Sequence, residues 1–148
     1  MSTRISAGIA GFLIGIACMS VTTAQSQRRY VNPRSASNAA DAGQPPFSGA
    51  VVVGDTAYLS GVLGSGDTAE AAAKAGLDSL QSSLKGAGMT MDDLVSVQIF
   101  CPNVADYDAF NKVYRMYFKA EFPARAFLGS GPLLRGAKFE IQGIAVKR

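Results

Sequence analysis

Residues 49–62 read Gly-Ala-Val-Val-Val-Gly-Asp-Thr-Ala-Tyr-Leu-Ser-Gly-Val. Two runs rich in β-branched residues flank Gly54-Asp55, the pattern of two strands joined by a tight turn. Alternation in the second run sets Ala57 and Leu59 on one face and Tyr58 and Ser60 on the other. Past the Gly64-Ser65-Gly66 loop the period changes. Ala73, Leu77, Leu80 and Leu84 recur at spacings of four, three and four, the apolar seam of a helix. An Asp67/Glu70 capping pair is expected to open it, and Gly86 and Gly88 to close it just past Lys85. Alternation returns at 95–101 (VSVQIFC), with Val95, Val97, Ile99 and Cys101 sharing a face. A second helix is expected over 105–120, its stripe of Tyr107, Phe110, Tyr114, Tyr117 and Phe118 directed to the core. Asn111 sits on the same side of it and needs a polar partner. Strands follow at 125–129 and 138–146, with Gly143 as a candidate bulge because Ile144 and Val146 fall out of phase after it.

The order β-β-α-β-α-β-β predicts an α+β domain of two layers. Two helices cover one face of a sheet of about five mainly antiparallel or mixed strands. The uncovered face is expected to carry Tyr58, Ser60, Arg125, Phe127 and Glu140. It is too apolar to remain wet, which predicts self-association with polar residues lining clefts at the joins.

Composition limits the chemistry. The chain has 148 residues, 48% hydrophobic and 17% charged, enough apolar mass for one core and far from a disordered composition. It has no His, which excludes Ser-His-Asp and Cys-His catalysis and His-based metal sites. Its two cysteines, Cys18 and Cys101, allow at most one disulfide and no Cys-rich metal knuckle. Cys101 reads as a small core hydrophobe.

Residues 5–23 carry no charge, follow Arg4 and end in small residues, the marks of an export leader (residues 1–24) cleaved after Ala24. Two alternatives are a membrane anchor and a lipoprotein acylated at Cys18, the latter without the usual Leu three residues earlier. Cleavage places the protein in the periplasm or outside the cell, with stable membrane association expected only if Cys18 is lipidated. Loss of Arg4 takes the 14 basic residues to 13 against 11 acidic, a net of +2. Arg28, Arg29 and Arg34 lie in the polar stretch 25–44, read as a flexible tether, so the domain over 45–148 is near neutral and no nucleic-acid partner is expected.

Several motifs, taken in order, resemble the Rid/YjgF family of reactive intermediate deaminases. They are Pro46-Phe47-Ser48, Tyr58-Leu59-Ser60-Gly61, Asn111-Lys112-Val113-Tyr114, Phe122-Pro123-Ala124-Arg125, Phe139-Glu140-Ile141 and Gly143-Ile144-Ala145. The resemblance spans residues 46–147. It implies a chorismate-mutase-like fold, a homotrimer whose sheets form a central barrel, and sites in clefts between subunits. It also implies hydrolysis of 2-imino acids or their enamine tautomers to 2-oxo acids and ammonia, with no cofactor and no metal. Residue by residue it implies Arg125 as the clamp for the substrate carboxylate and Glu140 as the group that handles the attacking water. Ser60 and Gly61 match the substrate-bonding strand end, and Asn111 a position near the cleft. Phe47 stands where many relatives have Tyr. Phe127 stands where many have a small residue, and is expected to narrow the pocket. The loop after Gly61 and the segment before Pro123 also look short against the family. Three other readings compete: an interfacial Arg125–Glu140 ion pair with no catalysis, a non-enzymatic binder of small carboxylates using the same cleft, and the ribonuclease activity reported for some relatives. The missing His and the lack of a basic-aromatic stripe weigh against the last.

Overall fold

The hairpin forms where the β-branched runs place it. In a computed structural model of the chain, which describes residues 27–31, 46–119 and 121–148, strand β2 (Ala50–Val53) pairs antiparallel with β3 (Thr56–Gly64). Helix α1 (Ala69–Ala87) follows, then β4 (Leu94–Cys101), α2 (Tyr107–Tyr114), β5 (Ala124–Gly129) and β6 (Phe139–Val146). A strand that the sequence does not announce, β1 (Arg28–Val31), precedes them and pairs with β2. The single sheet has six strands in the order β1-β2-β3-β6-β4-β5, antiparallel except for the β4–β5 pair. Both helices lie on one face, the expected two-layer α+β arrangement.

The tether reading of 25–44 is therefore corrected at Arg28–Val31. This segment is charged and short, so it carries no alternation signal, yet it gains from the fold what it lacks in sequence. Val31 is buried, and the Arg29 guanidinium donates to the carbonyls of Gly86 (3.2 Å) and Ala87 (2.7 Å) at the C-terminus of α1, where free carbonyls and the helix dipole favour a cation. The expected leader, with Ala24 and Cys18, lies outside the described residues, as does the stretch 32–45.

Helix α1 keeps its seam: Ala73, Leu77, Leu80 and Leu84 are all fully buried. Its N-cap is Thr68, whose hydroxyl accepts from the Ala71 N–H, rather than Asp67. Gly88, at φ +76°, closes the other end. The helix rides directly on β3. A Cβ at Gly76 would stand 2.9 Å from Ile141 Cδ1 and 3.2 Å from Gly64 Cα, and one at Gly64 would overlap the Ala72 carbonyl oxygen. Helix α2 is shorter than expected, with single 3₁₀ turns at Val104–Asp106 and Arg115–Tyr117 on either side.

Two irregularities differ from the expected bulge at Gly143. β6 alternates without interruption, with Phe139, Ile141, Gly143 and Ala145 buried. The extra residues lie on its partners, between Leu59 and Val62 of β3 and between Leu94 and Ser96 of β4. Ile144 and Val146 thus face out because they belong to the uncovered face. The β4 bulge puts Leu94 into the core and leaves Val95 exposed, against the reading that grouped Val95 with Val97. The uncovered face carries Tyr58, Ser96, Gln98, Phe100, Glu140, Gln142 and Ile144, with Gln142 Nε2 donating to Gln98 Oε1 at 2.6 Å in its middle.

Gly64→Ala is expected to cost about 2–3 kcal/mol, because the clash is with backbone and α1 must lift off β3. Urea denaturation of the variant beside wild type measures it. An unchanged midpoint would mean that the helix is not seated this closely.

Candidate functional site

Arg125 is carried by β5, the edge strand opposite β1. Its register partner on β4 is Val97, which is fully buried beneath the helices, so the Arg125 side chain points to the helical side of the sheet. There it meets α2, where Tyr107, Asn111 and Tyr114 stand at i, i+4 and i+7 on one helix face. The guanidinium carbon lies 4.8 Å from the centre of the Tyr114 ring and 5.7 Å from that of Tyr107, and Nη2 donates to Tyr107 Oη at 3.4 Å. Tyr107, Asn111, Tyr114, Phe122, Pro123 and Arg125 line an open pocket of about 230 Å³. Tyr114 is buried and its hydroxyl has no hydrogen-bond partner among the described residues. Burial pushes its pKa up to about 12, with the positive charge of Arg125 pulling the other way.

Phe127 shares this face but does not line the pocket. Its ring stands edge-on to Tyr107 at 5.0 Å and packs against Phe110 and Phe139 at 5.6 and 6.4 Å, extending the core towards the site instead of narrowing it. Cys101 is buried as expected. Its thiol donates to the Asn103 carbonyl at 3.0 Å, and desolvation raises its pKa, which suits packing and not nucleophilic chemistry.

Phe47, Ser60, Gly61 and Glu140 belong to a different place. Ser60 and Gly61 occupy the β3 bulge. Ser60 Oγ donates to the Ser48 carbonyl at 2.6 Å and its N–H to the Gly49 carbonyl at 3.1 Å, tying the bulge to the segment that carries the exposed Phe47. Glu140 pairs in register with Leu63 and Phe100 and points away from its buried neighbours Phe139 and Ile141. Its half-buried carboxylate lies against Gly61, where any Cβ would overlap Oε1.

The expectation that Arg125, Phe127, Ser60 and Glu140 share the uncovered face is thus corrected. Arg125 and Phe127 are on the helical side and Glu140 on the open side. Nor are their strands neighbours, since β4 separates β5 from β6. An Arg125–Glu140 ion pair within one chain is excluded, and Lys74–Asp78 is the only ion pair among the described residues. Tyr114 is buried, as its reading as core requires, and also faces the Arg125 pocket, whereas Tyr107, read the same way, is exposed there; their spacing around Asn111 is the signal that marks them. Among the described residues no three His, Cys, Asp or Glu side chains gather closely enough to hold a metal ion.

Comparison with known proteins places the chain. Residues 37–147 match the family model described as Endoribonuclease L-PSP. Two relatives named 2-iminobutanoate/2-iminopropanoate deaminase are similar to it. The human protein is 34% identical over 111 residues, covering 69% of this chain and 80% of that one. The Dermatophagoides farinae protein is 36% identical over 110 residues, covering 68% and 85%. The crystal structure of the Escherichia coli YjgF gene product, 27% identical, overlays with a TM-score of 0.67 over 70% of this chain and 89% of that one. The chain therefore belongs to the L-PSP/YjgF/Rid family.

The contact between Gly61 and Glu140 makes a checkable prediction. Gly61→Ala forces the carboxylate aside, at an expected cost of about 1–2 kcal/mol in wild-type background and less than about 0.5 kcal/mol once Glu140 is Ala, a non-additivity that a urea-denaturation cycle reads directly. Equal costs in both backgrounds would show that the two residues do not meet.

Proposed function

We propose that the protein hydrolyses 2-imino acids, or their enamine tautomers, to 2-oxo acids and ammonia, in clefts built between copies of the chain. The observation that carries this reading is the Arg125 guanidinium, turned to an open pocket and held by tyrosine rings in place of a carboxylate partner. The names of the relatives supply the reaction class.

In this mechanism the substrate carboxylate lies in the plane of the Arg125 guanidinium and accepts two parallel N–H bonds. Asn111 offers an amide beside it. The C=N carbon is then attacked by water, whose proton passes to Glu140. Glu140 returns that proton to the nitrogen, giving the carbinolamine; its hydroxyl proton then passes by way of Glu140 to the nitrogen as the C–N bond breaks, releasing ammonia and leaving the oxygen as the carbonyl of the 2-oxo acid. Imines hydrolyse readily, so orientation and a positioned base suffice. Ser60, Gly61 and Phe47 form the wall on the Glu140 side, with the Phe47 ring contributing packing alone.

One chain cannot run this sequence, because Arg125 and Glu140 face opposite sides of its sheet. The site must combine the Arg125 edge of one copy with the Glu140 face of another. The apolar open face, with Tyr58 and Ile144 exposed, supports such packing, and a closed threefold ring gives every copy both kinds of neighbour. The ribonuclease reading finds little support in an Arg pocket of this size without His. The uncharged run before Ala24 supports action outside the cytoplasm.

Arg125→Lys is expected to lower kcat/KM for a 2-imino acid generated in the assay by about 30- to 1,000-fold, because a point charge replaces a planar fork. Glu140→Gln is expected to lose turnover and keep 2-oxo acid binding. Coexpressed in equal amounts, the Arg125→Ala and Glu140→Ala chains are expected to recover about a quarter of wild-type sites, those that draw Arg125 and Glu140 from different copies. No recovery in mixed oligomers would place the site within one chain. A wild type that binds 2-oxo acids through Arg125 without hydrolysing any imine would make it a carboxylate-binding protein.

A further inference from the structure

We propose that Tyr114 and Tyr107 are positioning residues that fix the plane of the Arg125 guanidinium, Tyr114 through its ring face alone and Tyr107 through its ring and its phenol oxygen. The proposal rests on the reading of Arg125 as the carboxylate clamp and adds how the clamp is held.

An arginine on an edge strand has several rotatable bonds and no reason of its own to hold one plane. The usual restraint is a carboxylate partner, but that consumes the N–H donors a substrate needs. Here no carboxylate of the described residues lies within ion-pair distance of Arg125. Two aromatic rings stand there instead, at 4.8 and 5.7 Å from the guanidinium carbon. A ring face attracts the cation through its quadrupole and restrains its orientation, while leaving most in-plane donors free. Tyr107 takes one weak contact at Nη2, 3.4 Å long.

The rings are themselves packed against other aromatic rings. Tyr114 is buried against Phe110, Phe118 and Phe122, with ring centres 5.7, 4.7 and 6.1 Å away. Tyr107 stands against Phe127 at 5.0 Å. The orphan hydroxyl of Tyr114 separates a ring role from a hydroxyl role. Among the described residues it makes no bond that Phe would lose, so Tyr114→Phe must cost less than Tyr114→Leu, which removes the ring and frees the guanidinium. Tyr117 is the contrast on the same helix end: its hydroxyl donates to Asp78 at 2.6 Å, away from Arg125.

The test uses the full chain and its Tyr114→Phe, Tyr114→Leu, Tyr107→Phe and Tyr107→Leu variants, with pyruvate as the binding probe and a 2-imino acid as substrate. Tyr114→Phe keeps the ring face and is expected to lose several-fold less affinity than Tyr114→Leu. Tyr114→Leu and Tyr107→Leu are expected to raise KM and the pyruvate Kd about tenfold with little change in kcat, and Tyr107→Phe about threefold. Because Tyr114→Leu opens a cavity in the aromatic cluster, the half-exposed Tyr107 and a ligand-free measurement keep the proposal open to refutation. The Arg125 Nε–Hε resonance, identified by its loss in Arg125→Lys, is expected to be displaced by ring currents in wild type and Tyr114→Phe and to return towards the ordinary arginine position in Tyr114→Leu. Wild-type pyruvate affinity in both folded Leu variants, an undisplaced resonance, or a Tyr114→Phe loss as large as that of Tyr114→Leu would each overturn the clamp. A wild type that neither binds pyruvate nor hydrolyses imines, yet shows the displaced resonance, would overturn the functional reading and leave the clamp standing.

Discussion

The register of β4 decides where the chemistry can occur. This strand lies between the parallel β5 and the antiparallel β6, pairing Val97 with Arg125 on one side and Phe100 with Glu140 on the other. Paired residues point the same way, and residues three apart on a strand point opposite ways. Arg125 is therefore held on the helical side and Glu140 on the open side. A shift of one residue would turn Phe127 out of the core in one pairing and drive the charge of Glu140 into it in the other, so the buried row of Val97, Ile99 and Cys101 pins the arrangement. The proposal of a second copy at the site rests on this register and not on any property of the surface alone.

The helical side is organised by aromatic rings. Phe110 sits at their centre, fully buried, with Tyr114, Phe127 and Phe139 around it at 4.8 to 5.7 Å. The cluster begins on β6, crosses to α2 and ends on the two tyrosines that face Arg125. Core and pocket are thus one packed unit, and the guanidinium inherits its rigidity from the interior. Phe127 belongs to this unit. It fills space beneath the helix, and the pocket that remains is bounded by Tyr107.

Much of this was legible before the structure. The hairpin, the seam of α1, the order of elements and the two layers follow from periodicity, because buried positions on a long helix or a central strand must repeat. The residues of the two proposed half-sites were named from the motifs that carry them. What could not be read is which face of one strand matches which face of another. Alternation at 125–129 gives parity within β5, but an edge strand is partly exposed on both sides, and nothing local says that Arg125 follows Val97. The Val95 error has a related origin: a bulge restarts the alternation, and Leu94 is as apolar as Val95. Strand β1 was missed because its pairing with β2 and the grip of Arg29 on α1 are long-range gains absent from its own composition.

The division of the site also suits the reaction proposed for it. A difficult transformation needs several groups fixed to fractions of an ångström, which favours one rigid scaffold. Imine hydrolysis asks for less: one planar anion held, one water delivered and one proton accepted. Arg125 needs rigidity because the carboxylate is planar, and the aromatic cluster supplies it. Glu140 needs only reach, and the β3 bulge supplies that by leaving Gly61 without a side chain beside the carboxylate. In the proposed site each half is formed on its own side of the sheet, and an interface between copies would have only to bring the two surfaces within a water molecule of each other.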